Sequence, residues 1–164
     1  MPEIERLRPD HAGPLLAFEK ANRAYFAASV PDRGDAYFAE FEARLAALLA
    51  EQDAGICHFH VLTGPDGEVL GRVNLVDAAD GSADLGYRIA EHATGRGLAT
   101  AAVRRVCELA VTAYGLTTLH AVTTVDNTAS QAVLARTGFR PTGTVPDLSG
   151  RPGLRFVRDL TAEG

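Results

Sequence analysis

The run Gly86-Tyr87-Arg88-Ile89-Ala90-Glu91-His92-Ala93-Thr94-Gly95-Arg96-Gly97-Leu98-Ala99-Thr100 constrains what this chain can fold into more than any other stretch. A strand-like segment, Ala83 to Ile89, leads to a Gly-x-Gly turn that opens directly into a strongly helical pattern, Leu98 to Tyr114. Another strand-like segment, Thr117 to Thr124, follows. Strand, helix and strand in this order make a crossover, so the two strands are expected to be parallel. A glycine turn at a helix N-terminus aims backbone N–H groups at one point, backed by the positive end of the helix dipole. Glycine also lets a ligand approach the backbone closely, because no side chain stands in the way. The segment is therefore expected to hold a phosphate-bearing ligand; its bland alternative is a tight turn before a glycine-tolerant helix start.

Several phosphate ligands use such turns. A Walker-type loop requires Lys-Ser or Lys-Thr after its last glycine, and this stretch has no lysine. A dinucleotide fingerprint requires a third glycine where Thr100 stands. A third reading, which competes with these two, is the pyrophosphate arm of coenzyme A.

A second segment bears on that choice. Asn127-Thr128-Ala129-Ser130 is followed by Val133-Leu134 and then by Gly138-Phe139. With Thr94-Gly95-Arg96-Gly97-Leu98-Ala99, this pattern resembles the GNAT superfamily of N-acetyltransferases, in the branch of the RimJ/RimL type. The pyrophosphate motif of that superfamily is Gln/Arg-x-x-Gly-x-Gly/Ala, and here Thr94 replaces its first residue. Many relatives place a tyrosine seven residues after the asparagine, where this chain has Leu134. The resemblance covers roughly Ile4 to Leu160 and is specific in Gly86–Thr100 and Asn127–Phe139.

The resemblance implies a fold, a cofactor and a site. The fold is a mixed α/β one: a central, mostly antiparallel sheet flanked by helices, with a splay between two central parallel strands. Acetyl-CoA is the implied co-substrate, without a metal. Its pantetheine arm would lie in the splay against the backbone of Tyr87, Arg88 and Ile89. Its pyrophosphate would sit on Gly95, Arg96, Gly97, Leu98, Ala99 and Thr100, and Asn127 and Ser130 would complete the binding set. Ser130 would also supply the proton for the departing thiolate, the role left open by Leu134. The implied reaction is direct attack by a primary amine, of a protein N-terminus or a small molecule, in a ternary complex. A non-catalytic module holding CoA or acyl-CoA is the alternative, and a nucleotide-binding enzyme a third reading.

Composition bounds these readings. A chain of 164 residues, 46% hydrophobic, is expected to form one domain over residues 1–164. Its apolar runs are too short to span a membrane, and Met1 to Asp10 is unlike a signal peptide. Cys57 and Cys107 form no disulfide framework and sit among apolar neighbours, which suits buried thiols in a reducing cytoplasm. A net charge of −5 argues against a nucleic-acid partner and slightly favours a cationic acceptor through steering. A monomer or homodimer is expected.

The element order reads β, α, α, β, β, β, α, β, α, β, β. The first strand is Ile4–Leu7. Leu15, Leu16, Phe18, Asn22, Tyr25 and Phe26 mark one helix, and Asp35 is placed to cap a second through Leu48. Cys57–Thr63 and Val69–Val76 flank the turn Gly64-Pro65-Asp66-Gly67. Asp77 to Ser82 reads as a polar loop, Asn127–Thr137 as a short helix, and Phe139–Thr144 with Leu154–Leu160 as the last strands. Ala99, Val103, Val106, Ala110 and Ala113 form one stripe of the long helix.

Transfer of an acetyl group from a thioester to an amine needs a neutral amine, a donor for the carbonyl oxygen and a proton for the thiolate. Asp84, two residues before Gly86, is the candidate base; its bland reading is a solvated strand-start acid. Glu91 and His120 are weaker candidates. His58 and His60 share one strand face and could begin a zinc site, but no third ligand accompanies them. The aromatics Tyr25, Phe26, Tyr37 and Phe38 are assigned to the core, with some of them available to floor an acceptor pocket.

Overall fold

Residues 2–161 are described in a computed structural model of the chain. Alternation of apolar and polar residues makes the sheet. Along Ser82–Ile89 the buried positions include Ala83, Leu85 and Ile89, and along Thr118–Thr124 they are Leu119, Ala121 and Thr123. The strands are β1 (Glu3–Arg6), β2 (His58–Thr63), β3 (Val69–Ala79), β4 (Ser82–Ile89), β5 (Thr118–Thr124), β6 (Arg140–Leu148) and β7 (Arg151–Asp159). They form one seven-stranded sheet in the order β1-β2-β3-β4-β5-β7-β6. Every neighbouring pair is antiparallel except β4 and β5, the crossover pair, which run parallel as expected.

The helices are α1 (Ala12–Ala21), α2 (Arg23–Ala27), α3 (Asp35–Ala39), α4 (Phe41–Asp53), α5 (Leu98–Thr112) and α6 (Thr128–Arg136). Adjacent residues of β3 show that helices cover both faces. Arg72 bonds to Glu19 of α1, whereas Val73 packs in one cluster with Val103 and Val106 of α5. That cluster also holds Leu75, Leu119, Leu134 and Phe156, while Leu15, Phe18, Phe41, Leu45 and Val61 belong to the other. Each fully buried valine or leucine contributes roughly 1.5–3 kcal/mol, so these clusters fix α5 behind the crossover. Gly115 (φ +65°) stops α5, and Leu116 N–H closes the turn on Ala110 O at 2.8 Å.

Four local expectations are corrected. The first helical pattern is two helices, because Asn22 turns its side-chain amide onto Phe18 O (2.9 Å) and breaks the repeat. Asp35 is the first residue of α3, with Gly34 at the cap; its carboxylate pairs instead with Arg23 at 2.8 Å. Asp77 to Ser82 is mostly strand, with β3 running to Ala79 and a tight turn at Asp80–Gly81, both at positive φ. Ala113 is exposed, and the buried stripe of α5 takes in Ala102 and Cys107.

Candidate active site

The site begins where the parallel pairing ends. Ser82, Ala83 and Asp84 register with Thr118, Leu119 and His120, and pairing between β4 and β5 stops there. Both strands continue, β4 to Ile89 and β5 to Thr124, so their facing edges diverge with backbone donors and acceptors available. On their outer sides the same residues stay bonded: Gly86, Tyr87, Arg88 and Ile89 to β3, and Ala121 to Thr124 to β7. The opening is thus held rigidly from both flanks.

At its mouth lies the glycine turn. Gly95 (φ +78°) and Gly97 (φ +74°) are both left-handed, and a Cβ built on either meets nothing within 4 Å. Here the positive φ is what requires glycine, and the open space is what lets a phosphate approach. Gly97 is the N-cap of α5. The first backbone bond of that helix runs from Ala101 N–H to Gly97 O at 3.1 Å, so the N–H groups of Leu98, Ala99 and Thr100 precede the ladder. Upstream, Glu91 N–H donates to Asn22 Oδ1 at 2.9 Å, tying the approach to the turn onto the α1–α2 junction.

The far wall is the start of α6. Asn127 caps it, its Oδ1 accepting from Ser130 N–H at 3.1 Å. From β4 the Tyr87 phenol reaches across the splay and donates to Ser130 Oγ at 3.1 Å. Burial pushes the Tyr87 phenol up from its ordinary range, against a smaller opposite pull from Ser130.

Two cavities meet at this pair. One, about 520 Å³, is lined by Ile89, Gly95, Gly97, Leu98, Ala99 and Thr100, and also by Tyr25, Phe26, Arg88 and Arg136. The other, about 290 Å³, is lined by Leu85–Gly86 and Ala121–Thr124 of the two strands and by Val30, Pro31, Leu148 and Arg151. Ser29, Tyr87, Asn127 and Ser130 line both. Tyr25 is an exposed cavity residue, whereas Phe26 and Tyr37 are core as expected.

Of the expected site residues, Tyr87, Arg88, Ile89, Gly95, Gly97, Leu98, Ala99, Thr100, Asn127 and Ser130 come together around the first cavity. The Arg96 guanidinium turns back to His92 O at 2.7 Å, leaving its backbone to the turn. Asp84 is exposed, opposite His120 at the last paired register, and lines neither cavity. His58 and His60 are committed to Tyr114. The His58 ring stacks on it at 3.7 Å, and His60 Nε2 accepts from its hydroxyl at 2.6 Å.

Sequence reading passed over Glu19. Its carboxylate is 2% exposed and takes Arg72 at 2.8 Å, with Arg88 and Arg33 each at 3.3 Å. The Arg88 guanidinium lies 4.4 Å from the Phe26 ring centre, so this cluster fixes one cationic wall of the first cavity. The signal was present: Glu19 falls on the buried stripe Leu15, Phe18, Asn22, Phe26, where a charge requires a partner.

Known proteins share this fold. The profile of the acetyltransferase (GNAT) domain family matches residues 3–140. Ribosomal-protein-S5-alanine acetyltransferase from Vibrio fischeri superposes with a TM-score of 0.92 at 19% identity, covering 98% of this chain and 93% of that one. Mycobacterium smegmatis RimJ in complex with CoA-disulfide superposes with a TM-score of 0.85 at 27% identity, covering 95% of this chain and 80% of that one. The uncharacterized N-acetyltransferase p20 of Bacillus licheniformis is 27% identical over 97 residues, which span 58% of this chain and about half (54%) of that protein. The chain belongs to the GNAT acetyltransferase family, and within it resembles the RimJ/RimL type.

Proposed function

We propose that the protein transfers the acetyl group of acetyl-CoA to a primary amine by direct attack in a ternary complex. The observation that carries this reading is the splay itself: the β4–β5 pairing ends at Asp84, and the opened edge runs straight to a glycine turn at the N-terminus of α5. A thioester on a long pantetheine arm with a pyrophosphate suits that layout. The N–H groups of Leu98, Ala99 and Thr100 and the α5 dipole would take the phosphates, with Arg88 and Arg136 as nearby cations. The free edge of β4 would pair with the amides of the arm, which brings the thioester to the meeting point of the two cavities. The CoA-bound relative of similar fold supports coenzyme A as the ligand.

The amine would enter by the second cavity. Its described lining holds one charged residue, Arg151, and no carboxylate. Arg151 pairs with the Asp126 carboxylate at 3.6 Å, and the acceptor is read as a primary amine of a protein N-terminus or a small molecule.

The chemistry asks little of side chains. The neutral amine attacks the acetyl carbon, and charge grows on the carbonyl oxygen, for which the backbone N–H near Ile89 is the proposed donor. The C–S bond then breaks with its electron pair on sulfur, and the Ser130 hydroxyl donates to it. The amine gives up one proton as the C–N bond forms, and Asp84 is the proposed acceptor through water. Positioning the two reactants contributes most of the acceleration, at best on the order of 7–11 kcal/mol.

Thermal unfolding with acetyl-CoA, NAD and ATP tests the ligand, since a ligand of the folded state alone raises the Tm. A rise confined to acetyl-CoA is expected, and an equal rise with NAD would end the reading. Thiol release with a panel of a free-N-terminus peptide, tyramine and spermidine tests turnover. Binding without release would leave a CoA-holding module.

A further inference from the structure

We infer that Tyr87 is the positioning residue of this site: its phenol holds the Ser130 hydroxyl so that the serine proton points at the sulfur of the bound thioester. The inference rests on the acetyl-CoA reading above. Its basis is one hydroxyl–hydroxyl contact across the splay, at residues that line both cavities. Tyr87 O–H donates to Ser130 Oγ at 3.1 Å, and among the described residues that phenol is the hydrogen-bond partner of Ser130 Oγ. With the phenol as donor the serine O–H is left free to point elsewhere, and Ser130 lines both cavities. Leu134, one turn further along α6, is 1% exposed and packs in the core, so that position offers the site no hydroxyl. The hydroxyl comes from the opposite wall instead, on a strand bonded to β3 along this stretch.

The phenol stays protonated, because burial raises it. It therefore loses no proton in the reaction. When the C–S bond breaks, the electron pair goes to sulfur and is met by the Ser130 O–H; the proton that balances the products is the one the amine releases. A hydroxyl that already accepts a hydrogen bond is also a stronger donor, which adds to the effect of orientation.

The test uses the thiol of bound CoA, so it needs no acceptor. CoA binding is measured by calorimetry for wild type, Tyr87→Phe, Ser130→Ala and the double variant. The bound thiol is then titrated by the ultraviolet absorbance of the thiolate, with ligand-free protein as the blank. In wild type the bound thiol should ionise at lower pH than in free CoA. Ser130→Ala should abolish that shift, Tyr87→Phe should remove part of it, and the double variant should match Ser130→Ala, because the two groups act in series. With an acceptor from the panel, Tyr87→Phe should lower kcat roughly three- to tenfold, the worth of one neutral hydrogen bond, and leave the KM for acetyl-CoA unchanged. A Tyr87→Phe protein that binds CoA and titrates as wild type overturns the inference. So does one that no longer binds CoA, which would make the phenol a binding contact. Absence of CoA binding to wild type instead overturns the acetyl-CoA reading beneath it.

Discussion

Replacing Gly97 separates backbone strain from charge at the phosphate turn. Gly97 stands at φ +74° as the N-cap of α5, with open space where a Cβ would go. Gly97→Ala and Gly97→Glu share one cost, the left-handed backbone forced on an L side chain, roughly 1–2 kcal/mol. At about 2–4 °C per kcal/mol for a domain of this size, both variants should melt about 2–8 °C below wild type. They differ in charge. A carboxylate about 4–6 Å from a phosphate repels it by about 3–4 kcal/mol per unit charge at an effective dielectric of about 20. Gly97 is exposed, so the glutamate can swing aside and is screened, which leaves about half of that. Acetyl-CoA should therefore bind Gly97→Glu roughly 10- to 100-fold more weakly than Gly97→Ala, and the gap should narrow as salt rises. Calorimetric titration of both variants at two ionic strengths is the assay. Equal affinities would refute the placement of the pyrophosphate on this turn, whatever the loss of stability.

Other outcomes follow from the same geometry. Asn127→Ala removes the cap bond to Ser130 N–H and should cost about 0.5–2 kcal/mol in denaturant unfolding, with a higher KM for acetyl-CoA because the far wall loosens. Ser130→Ala should lower turnover by about 10²-fold or less with little change in acetyl-CoA affinity, as read by thiol release; full turnover would remove it from the mechanism. Glu19→Ala leaves Arg72 buried without its carboxylate and should destabilise by about 3–5 kcal/mol in a urea melt. His60 gives a pH signature. Burial depresses it to about 4 from 6.5, and its neutral form is satisfied, Nδ1–H donating to Val73 O while Nε2 accepts from Tyr114. Below pH about 6.5 the unfolded chain takes a proton that the folded one refuses. Stability is therefore lost as pH falls from 6.5 towards 4, by up to about 3 kcal/mol. Unfolding of His60→Gln across that window should show a shallower decline.

Local rules made much of this protein legible in its sequence. The stripe at Val103, Val106 and Ala110 gives α5, the Gly64–Gly67 turn gives a hairpin, and strand, glycine turn, helix and strand give a crossover with parallel strands. Left-handed glycines at 95 and 97 follow from the same turn. Helix, hairpin and glycine turn depend on near neighbours, which periodicity reports, and the crossover depends on the order of such local elements. What tertiary structure decided is which distant groups meet. Tyr87 and Ser130 are 43 residues apart, and Glu19 joins Arg72 and Arg88 over 53 and 69. The end of pairing at Asp84, which turns two adjacent strands into a site, depends on how β3 and β7 hold the outer edges. No pattern in one strand encodes where its neighbour departs, because that is set by pairings with other, distant strands.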